Sequence, residues 1–234
     1  MRTIVTNALL VRQVAYGESD LIATLFTEAE GKVGALVRGG RKSSKRVGGA
    51  IEPFHTMEAR LEDRGGDLAT LKEARIVRVR ERITANLDAT MAAGTALRWV
   101  RHACPPKTRE PEAWQTLNEL LDAIDAIGPD ESPRVALARG ALRLLADMGY
   151  ALDLERCVKC GKECPEGRAA RVDPARGGLV CASCGGARAP LSAKLRAIAL
   201  AVQRGDAEAM SADDAEAILA LVDAAMASHA GFDR

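Results

Sequence analysis

With 234 residues, 47% of them hydrophobic, the chain has room for one or two domains with a sizeable core, and its net charge of +1 gives no polyanion signal by itself. Aromatic residues make up only 3%, which argues against a broad platform of base-stacking rings. No apolar run approaches the roughly 18 residues of a spanning helix, and MRTIVTNALLV lacks a lysine-led segment and an A-x-A site, so membrane insertion and secretion are not indicated.

Short segments rich in Val, Ile, Leu and Thr fill the first part of the chain. Residues 8–16 read as a strand, ended by a Gly17–Glu18–Ser19–Asp20 turn. A second strand is expected over 21–27, and a third over 32–38, with Val33, Ala35 and Val37 on one face and Lys32, Leu36 and Arg38 on the other. Residues 51–61 and 68–79 supply two more. Five short strands in about eighty residues predict a small closed barrel over 1–80, with an OB-type barrel as the natural reading; an SH3-like barrel has much the same periodicity.

From residue 81 the pattern turns helical. Ile83, Leu87, Met91, Thr95 and Val100 fall at near-helical spacing before Pro105–Pro106, and Trp114, Leu117, Leu120, Leu121 and Ile124 make a second stripe that stops at Gly128–Pro129. A third runs from Val135 to Met148 and ends at Gly149. Further on, Ser192 opens a helix that stops at Gly205, and Ser211 with Asp214 opens the last. The expected architecture is α+β and multidomain: a five-stranded OB-type barrel (1–80), then a helical domain (81–234) interrupted by a cysteine element at 155–188.

That element is the most specific signal. Cys157 and Cys160, then Cys181 and Cys184, form two CxxC pairs, each followed at once by glycine (Gly161, Gly185), with twenty residues between them. Two intervening residues let both sulfurs of a tight turn reach one ion, and the glycine turns backbone amides toward the thiolates. The pattern predicts one structural zinc. Four thiolates close its coordination, leaving no position for water or substrate. A disulfide or a redox CxxC fits this doubled spacing poorly. Cys164 lies near enough to compete as a ligand, whereas Cys104, beside two prolines, reads as an isolated thiol. Thiolate zinc suits a reducing compartment, and a cytoplasmic protein is expected.

Charge is unevenly placed. Between Gly31 and Ile51 stand Lys32, Arg38, Arg41, Lys42, Lys45 and Arg46 without one acid, in a loop whose Gly39, Gly40, Ser43 and Ser44 permit close approach to phosphates. Lys72, Arg75, Arg78, Arg80 and Arg82 form a second set at the last strand and its exit. If the two sets share a face, they make a track for a nucleic-acid backbone; a solvated loop has the same composition, and Arg78 and Arg80 equally suit pairing with Glu73 and Glu81. Tyr16, Phe26 and Phe54 are candidates either for base stacking or for core, and His55 for a partly buried structural role. No GxSxG, P-loop, HExxH or acidic nuclease cluster is present, which points to a binding protein and not an enzyme.

Tyr16–Gly17–Glu18–Ser19–Asp20, Leu25–Phe26–Thr27, Gly31–Lys32, the Val37–Lys42 stretch with Ser43–Ser44, Glu52–Pro53–Phe54, LLADMGYALDL from Leu144 to Leu154, and Cys157–Val158–Lys159–Cys160–Gly161 occur in an order that resembles the RecO recombination mediators of bacterial DNA repair. The resemblance implies an OB barrel, a helical domain and a four-cysteine zinc element. It also implies binding of single- and double-stranded DNA, annealing of complementary strands, and, with RecR, placement of RecA on DNA coated by single-strand-binding protein. DNA contacts are expected at Lys32, Arg38, Arg41, Lys42, Lys45, Arg46, Arg75 and Arg78, and a docking surface for RecR or the single-strand-binding protein's C-terminal tail on the helical domain. Residence in the cytoplasm, at the nucleoid, follows from the same likeness. An RNA- or ribosome-associated barrel protein with a zinc knuckle shares every feature read from the residues alone.

Overall fold

Alternation is strictest in the strand Gly31–Val37, where Gly31, Val33, Ala35 and Val37 are buried and Lys32, Gly34 and Leu36 are partly exposed. It belongs to a closed barrel built from β1 (Arg2–Tyr16), β2 (Asp20–Thr27), β3 (Gly31–Val37), β4 (Thr56–Asp63) and β5 (Ala69–Arg78) in the order β1-β2-β3-β5-β4. All neighbours are antiparallel except β3 and β5, which run parallel, and β4 closes back on β1. This five-stranded non-sequential closure is the OB arrangement. The computed structural model describes residues 1–41, 47, 49–128, 130–206 and 210–229, which divide into two compact units, Met1–Asp125 and Ala126–Arg234.

The long β1 serves both neighbours. Arg2 to Ala8 pairs with β4, Ala8 to Tyr16 pairs with β2, and a register shift between Leu10 and Arg12 bends the strand where it changes partner. It starts six residues earlier than the apolar run at Ala8 predicts, because Thr3, Val5 and Asn7 alternate with Ile4 and Thr6 too weakly to stand out in sequence. β4 starts later than expected. Pro53 lacks a ladder donor and Phe54 has φ +73°, so the chain coils through 51–55 before pairing. Inside the barrel Ala8, Ala23, Ala35 and Ala59 alternate with Leu25, Met57 and Leu61, all fully buried. Small residues are required where five strands curve tightly around large ones, each of which contributes about 1.5–3 kcal/mol by leaving water.

Three helices belong to the same unit: α1 (Glu81–Ala85), α2 (Leu87–Ala103) and α3 (Pro111–Ala126). Asn86 caps α2 by accepting from the Ala89 amide at 3.0 Å. The connection after α2 crosses directly over the start of β3. Lys107 donates its amide to the Lys32 carbonyl at 2.8 Å, and a Cβ on Gly31 would lie 1.6 Å from the Thr108 carbonyl oxygen. Only glycine fits there, and its φ of +64° agrees.

A buried guanidinium fastens α3 to the barrel. Arg80 is 1% exposed; it donates to Asp122 Oδ1 (2.8 Å), the Phe54 carbonyl (2.7 Å), Thr56 Oγ1 (3.1 Å) and Asn118 Oδ1 (3.0 Å). The Arg80 amide donates to His55 Nδ1 at 3.0 Å, which gives that histidine its structural role. Nearby, Phe26 and Trp114 meet with ring centroids 5.8 Å apart. Removing Asp122 strands a buried charge. Asp122→Ala is expected to destabilise the protein by about 2–3 kcal/mol in denaturant unfolding, whereas Arg60→Ala, which breaks an exposed pair with Glu73, is expected to cost under about 1 kcal/mol.

In the second unit α4 (Pro133–Asp147), α5 (Ala193–Arg204) and α6 (Ala212–His229) pack on one another. Between α4 and α5 lies a small sheet of β6 (Asp153–Cys157), β7 (Ala170–Asp173), β8 (Gly178–Leu179) and β9 (Ala189–Leu191), ordered β6-β8-β7-β9. Sequence reading finds the cysteine turns but not this sheet, whose strands run two to five residues and are too short for a periodic signal. Arg196 of α5, 3% exposed, ties it down by donating to the carbonyls of Leu154, Pro165 and Cys164 at 2.7–2.8 Å. Among the described residues no helix is long and apolar enough to cross a membrane.

Candidate metal centre and nucleic-acid interface

Both CxxC turns are shaped by the glycines that follow them. Gly161 (φ +72°) donates to the Cys157 carbonyl at 2.8 Å; Gly185 (φ +95°) donates to Ala182, and Gly186 donates to the Cys181 carbonyl at 3.0 Å. The turns are joined by, among others, the bonds from the Val158 amide to the Leu179 carbonyl (2.9 Å) and from Lys159 Nζ to the Cys184 carbonyl (3.0 Å). The sulfurs of Cys157, Cys160, Cys181 and Cys184 consequently lie within 4.8 Å of one another, with Cys160 and Cys181 3.7 Å apart. Zinc–thiolate bonds of about 2.3 Å in a tetrahedron require sulfurs about 3.8 Å apart, so the four thiols fit a single tetrahedral ion.

Electrostatics favour thiolate at Cys157. The Cys181 amide donates to Cys157 Sγ at 3.4 Å, and this bond, with help from the Lys159 and Cys160 amides, brings the Cys157 thiol down to about 6. Its neighbour Cys184, hydrogen-bonded to the thiols of Cys160 and Cys181, is pushed up to about 12. Cys164 lies outside the four-sulfur cluster; its amide donates to the Glu155 carbonyl and its carbonyl accepts from Arg196. Burial raises the Cys104 thiol to about 12, as befits an inert core residue.

The basic residues separate into distinct groups. Arg38 and Arg41 are exposed where the basic loop leaves β3, and neither forms an ion pair among the described residues. The loop start is stitched to the β1–β2 turn: Arg41 donates its amide to the Ser19 carbonyl at 3.0 Å, and Asp20 Oδ1 accepts from the Gly39 amide at 2.8 Å. Lys42, Lys45 and Arg46 lie outside the described residues. Lys32 stands at the other end of β3, about 20 Å away by strand rise. It is half-buried, and its ammonium donates to the Arg101 carbonyl at 2.6 Å. Burial lowers its pKa.

The second basic set departs from the expectation of one shared positive face. Arg75 meets Glu58 directly across the β4–β5 ladder at 2.9 Å, Lys72 meets Glu62 at 3.1 Å, and Arg78 meets Asp122 at 2.7 Å. Cross-strand register sets Arg75 opposite Glu58, Lys72 reaches Glu62 on the same strand pair, and α3 supplies Asp122 to Arg78, so these cations are largely compensated. Of the aromatic candidates, Phe26 and Phe54 are core, while Tyr16 is 55% exposed at the end of β1. It stands beside an outward row of Val14, Ile22 and Leu36 that crosses β1, β2 and β3.

The family model for Recombination protein O N terminal matches residues 1–80, and that for Recombination protein O C terminal matches residues 85–234. The chain belongs to the RecO family. It is 38% identical over 194 residues to a DNA repair protein RecO of Geobacter sulfurreducens, covering 83% of this chain and 78% of that protein. A DNA repair protein RecO of Anaeromyxobacter sp. (strain K) is 36% identical over 211 residues, 88% of this chain and 82% of the relative. The likeness to the Geobacter metallireducens DNA repair protein RecO is 34% over 227 residues, spanning 96% and 91% of the two chains. A role in DNA repair and recombination follows from membership of the RecO family.

One cationic group in this RecO-family chain is not evident from composition. Arg12 of β1 and Arg98, Arg101 and His102 of α2 gather around the Lys32 end of β3. The i, i+3, i+4 spacing of Arg98, Arg101 and His102 is the only sequence signal, and it says nothing of Arg12 or Lys32, which arrive from other elements.

Proposed function

We propose that this chain is a non-enzymatic recombination mediator. It binds single- and double-stranded DNA through the barrel, anneals complementary strands, and with RecR helps place RecA on DNA coated by single-strand-binding protein, in the cytoplasm at the nucleoid. Membership of the RecO family along both parts of the chain carries this reading. Arg38 and Arg41, exposed and without an ion pair among the described residues, stand at the mouth of an acid-free loop and support it, as does an outer β1–β2–β3 face of the kind OB barrels present to nucleic acid.

The mechanism needs no covalent step. Cations of the loop 38–46 neutralise phosphates on two strands and lower the repulsion that keeps them apart, while base pairing supplies the sequence check. Arg75 and Arg78 join in a smaller share, since each must exchange a carboxylate for a phosphate. Zinc at Cys157, Cys160, Cys181 and Cys184 braces the small sheet. The second unit supplies docking for RecR or for the tail of the single-strand-binding protein.

The test is annealing of complementary DNA strands, bare and coated with single-strand-binding protein, with and without RecR. The protein is expected to accelerate annealing on both, and RecA loading on coated DNA is expected only with RecR present. Tight binding to RNA strands with no acceleration of DNA annealing would instead favour the RNA-associated reading.

A further inference from the structure

We infer that Arg12, Lys32, Arg98, Arg101 and His102 form a second phosphate site, separate from the basic loop, that takes the sugar–phosphate chain of single-stranded DNA. The inference rests on the DNA-binding reading and adds to it a location that no feature of the sequence isolates.

Three elements build the cluster. On α2, Arg98, Arg101 and His102 share one face, and Arg101 Nη2 donates to His102 Nε2 at 2.9 Å. From β3, Lys32 reaches up to the Arg101 carbonyl at 2.6 Å, which leaves two ammonium protons for another acceptor. From β1, Arg12 stands in register with Thr24, and Thr24 with Gly34, two residues and about 7 Å along β3 from Lys32. Arg12, Arg98 and His102 are exposed, and Arg101 and Lys32 are half-buried.

The four charges acting most strongly on His102 are Arg101, Lys32, Arg98 and Arg12, cations all, and together with burial they lower its pKa. Glu110 acts on the buried Cys104 of the same region, and the Asp67 backbone passes beside Gly34. Like charges held this close by three separate elements repel one another in the free protein, and a polyanion laid across them relieves that repulsion. A continuous chain of phosphates suits the arrangement better than one small anion, because the cations are spread over a strand, its neighbour and a helix. With the loop at the far end of β3, the two positive regions bracket the outward row of Val14, Ile22 and Leu36.

Occupancy must then couple to protonation. Phosphate beside His102 favours the imidazolium, so binding takes up a proton and tightens as pH falls from about 8 to about 6. The direct experiment is an NMR titration of the His102 ring in the full wild-type chain, assigned with His102→Asn, with and without a short oligothymidylate. The His102 midpoint is expected to rise by half a unit or more on binding, with half a unit being about a threefold change in proton affinity. In parallel, Arg98→Ala with Arg101→Ala is expected to lower the salt slope by about 1.4 and the affinity roughly 25-fold at about 0.1 M salt. A His102 ring that stays unmoved while the oligonucleotide saturates the protein overturns the second site and leaves the DNA-binding reading intact. Failure of the wild type to bind the oligonucleotide at all overturns both. A response of His102 to polyaspartate but not to oligothymidylate assigns the cluster to an acidic protein segment and overturns the nucleic-acid assignment.

Discussion

Replacing Cys181 and Cys184 together with serine is expected to abolish metal binding and unfold the cysteine element. Elemental analysis should fall from one zinc per chain to none. Apparent binding free energies of structural zinc are about 10–16 kcal/mol in small fingers, and that energy is folding energy, because the ligand set does not pre-exist in the unfolded chain. Here the strands it supports have two to five residues and cannot hold together by ladder bonds alone. The loss should spread to α5, since two of the three carbonyls that satisfy the buried Arg196 belong to Pro165 and Cys164 within the element. An unpartnered guanidinium would then be exposed or stranded. Thermal unfolding of the variant should lose a cooperative step belonging to the second unit. Cys164→Ser is the matched comparison: its sulfur is outside the cluster, so full zinc content and a stability change within about 1 kcal/mol are expected. Zinc retained in the double variant, or lost in Cys164→Ser, would overturn the assignment of the ligands.

How much of this was legible beforehand depends on how local each signal is. The clustering of Cys157, Cys160, Cys181 and Cys184 was readable because it is a matter of spacing within two tight turns, and those turns are set by neighbouring glycines. The barrel was readable for a related reason: in β3 the alternation of Val33, Ala35 and Val37 with Lys32 and Leu36 is a property of adjacent residues. What escaped depends on register and on packing between distant segments. Arg75 opposite Glu58 is a fact of cross-strand pairing, and Asp122, which takes both Arg78 and Arg80, comes from a helix more than forty residues away in sequence. Neither is visible from charge composition, so a run of cations at the end of the barrel reads as one positive face when most of it is already compensated. The grouping of Arg12 and Arg98 with Lys32 is missed for the same reason in reverse, as cations on three separate elements come together only after folding. Phe26 and Tyr16 show the rule at single residues: both lie in strands outside the barrel's inner cluster, and Phe26 is core because Trp114 of α3 packs on it while Tyr16 stays exposed.

Those compensated pairs set the expected outcome of charge removal on the barrel. Substituting Arg41, Lys42, Lys45 and Arg46 with alanine should reduce affinity for single-stranded DNA by a factor on the order of 10³ at about 0.1 M salt. Each phosphate contact contributes about 0.7 to the slope of log affinity against log salt on single strands, so four contacts account for about 2.8. The slope itself is therefore the decisive readout, because it counts released counterions and is insensitive to modest misfolding. Strand annealing should fall in step, as it depends on neutralising phosphates on both strands. Arg75→Ala with Arg78→Ala removes cations that Glu58 and Asp122 already neutralise, and in exchange frees those carboxylates to repel DNA; an affinity loss about an order of magnitude or more smaller than that of the loop variant is expected. Binding that is flat between about 50 and about 200 mM salt in the wild type, or a loop variant that keeps its slope, would remove the basic loop from the interface. The reverse ranking, with Arg75 and Arg78 dominant, would mean that DNA breaks both ion pairs on binding and that the β4–β5 side of the barrel, not the β1–β2–β3 face, carries the strand.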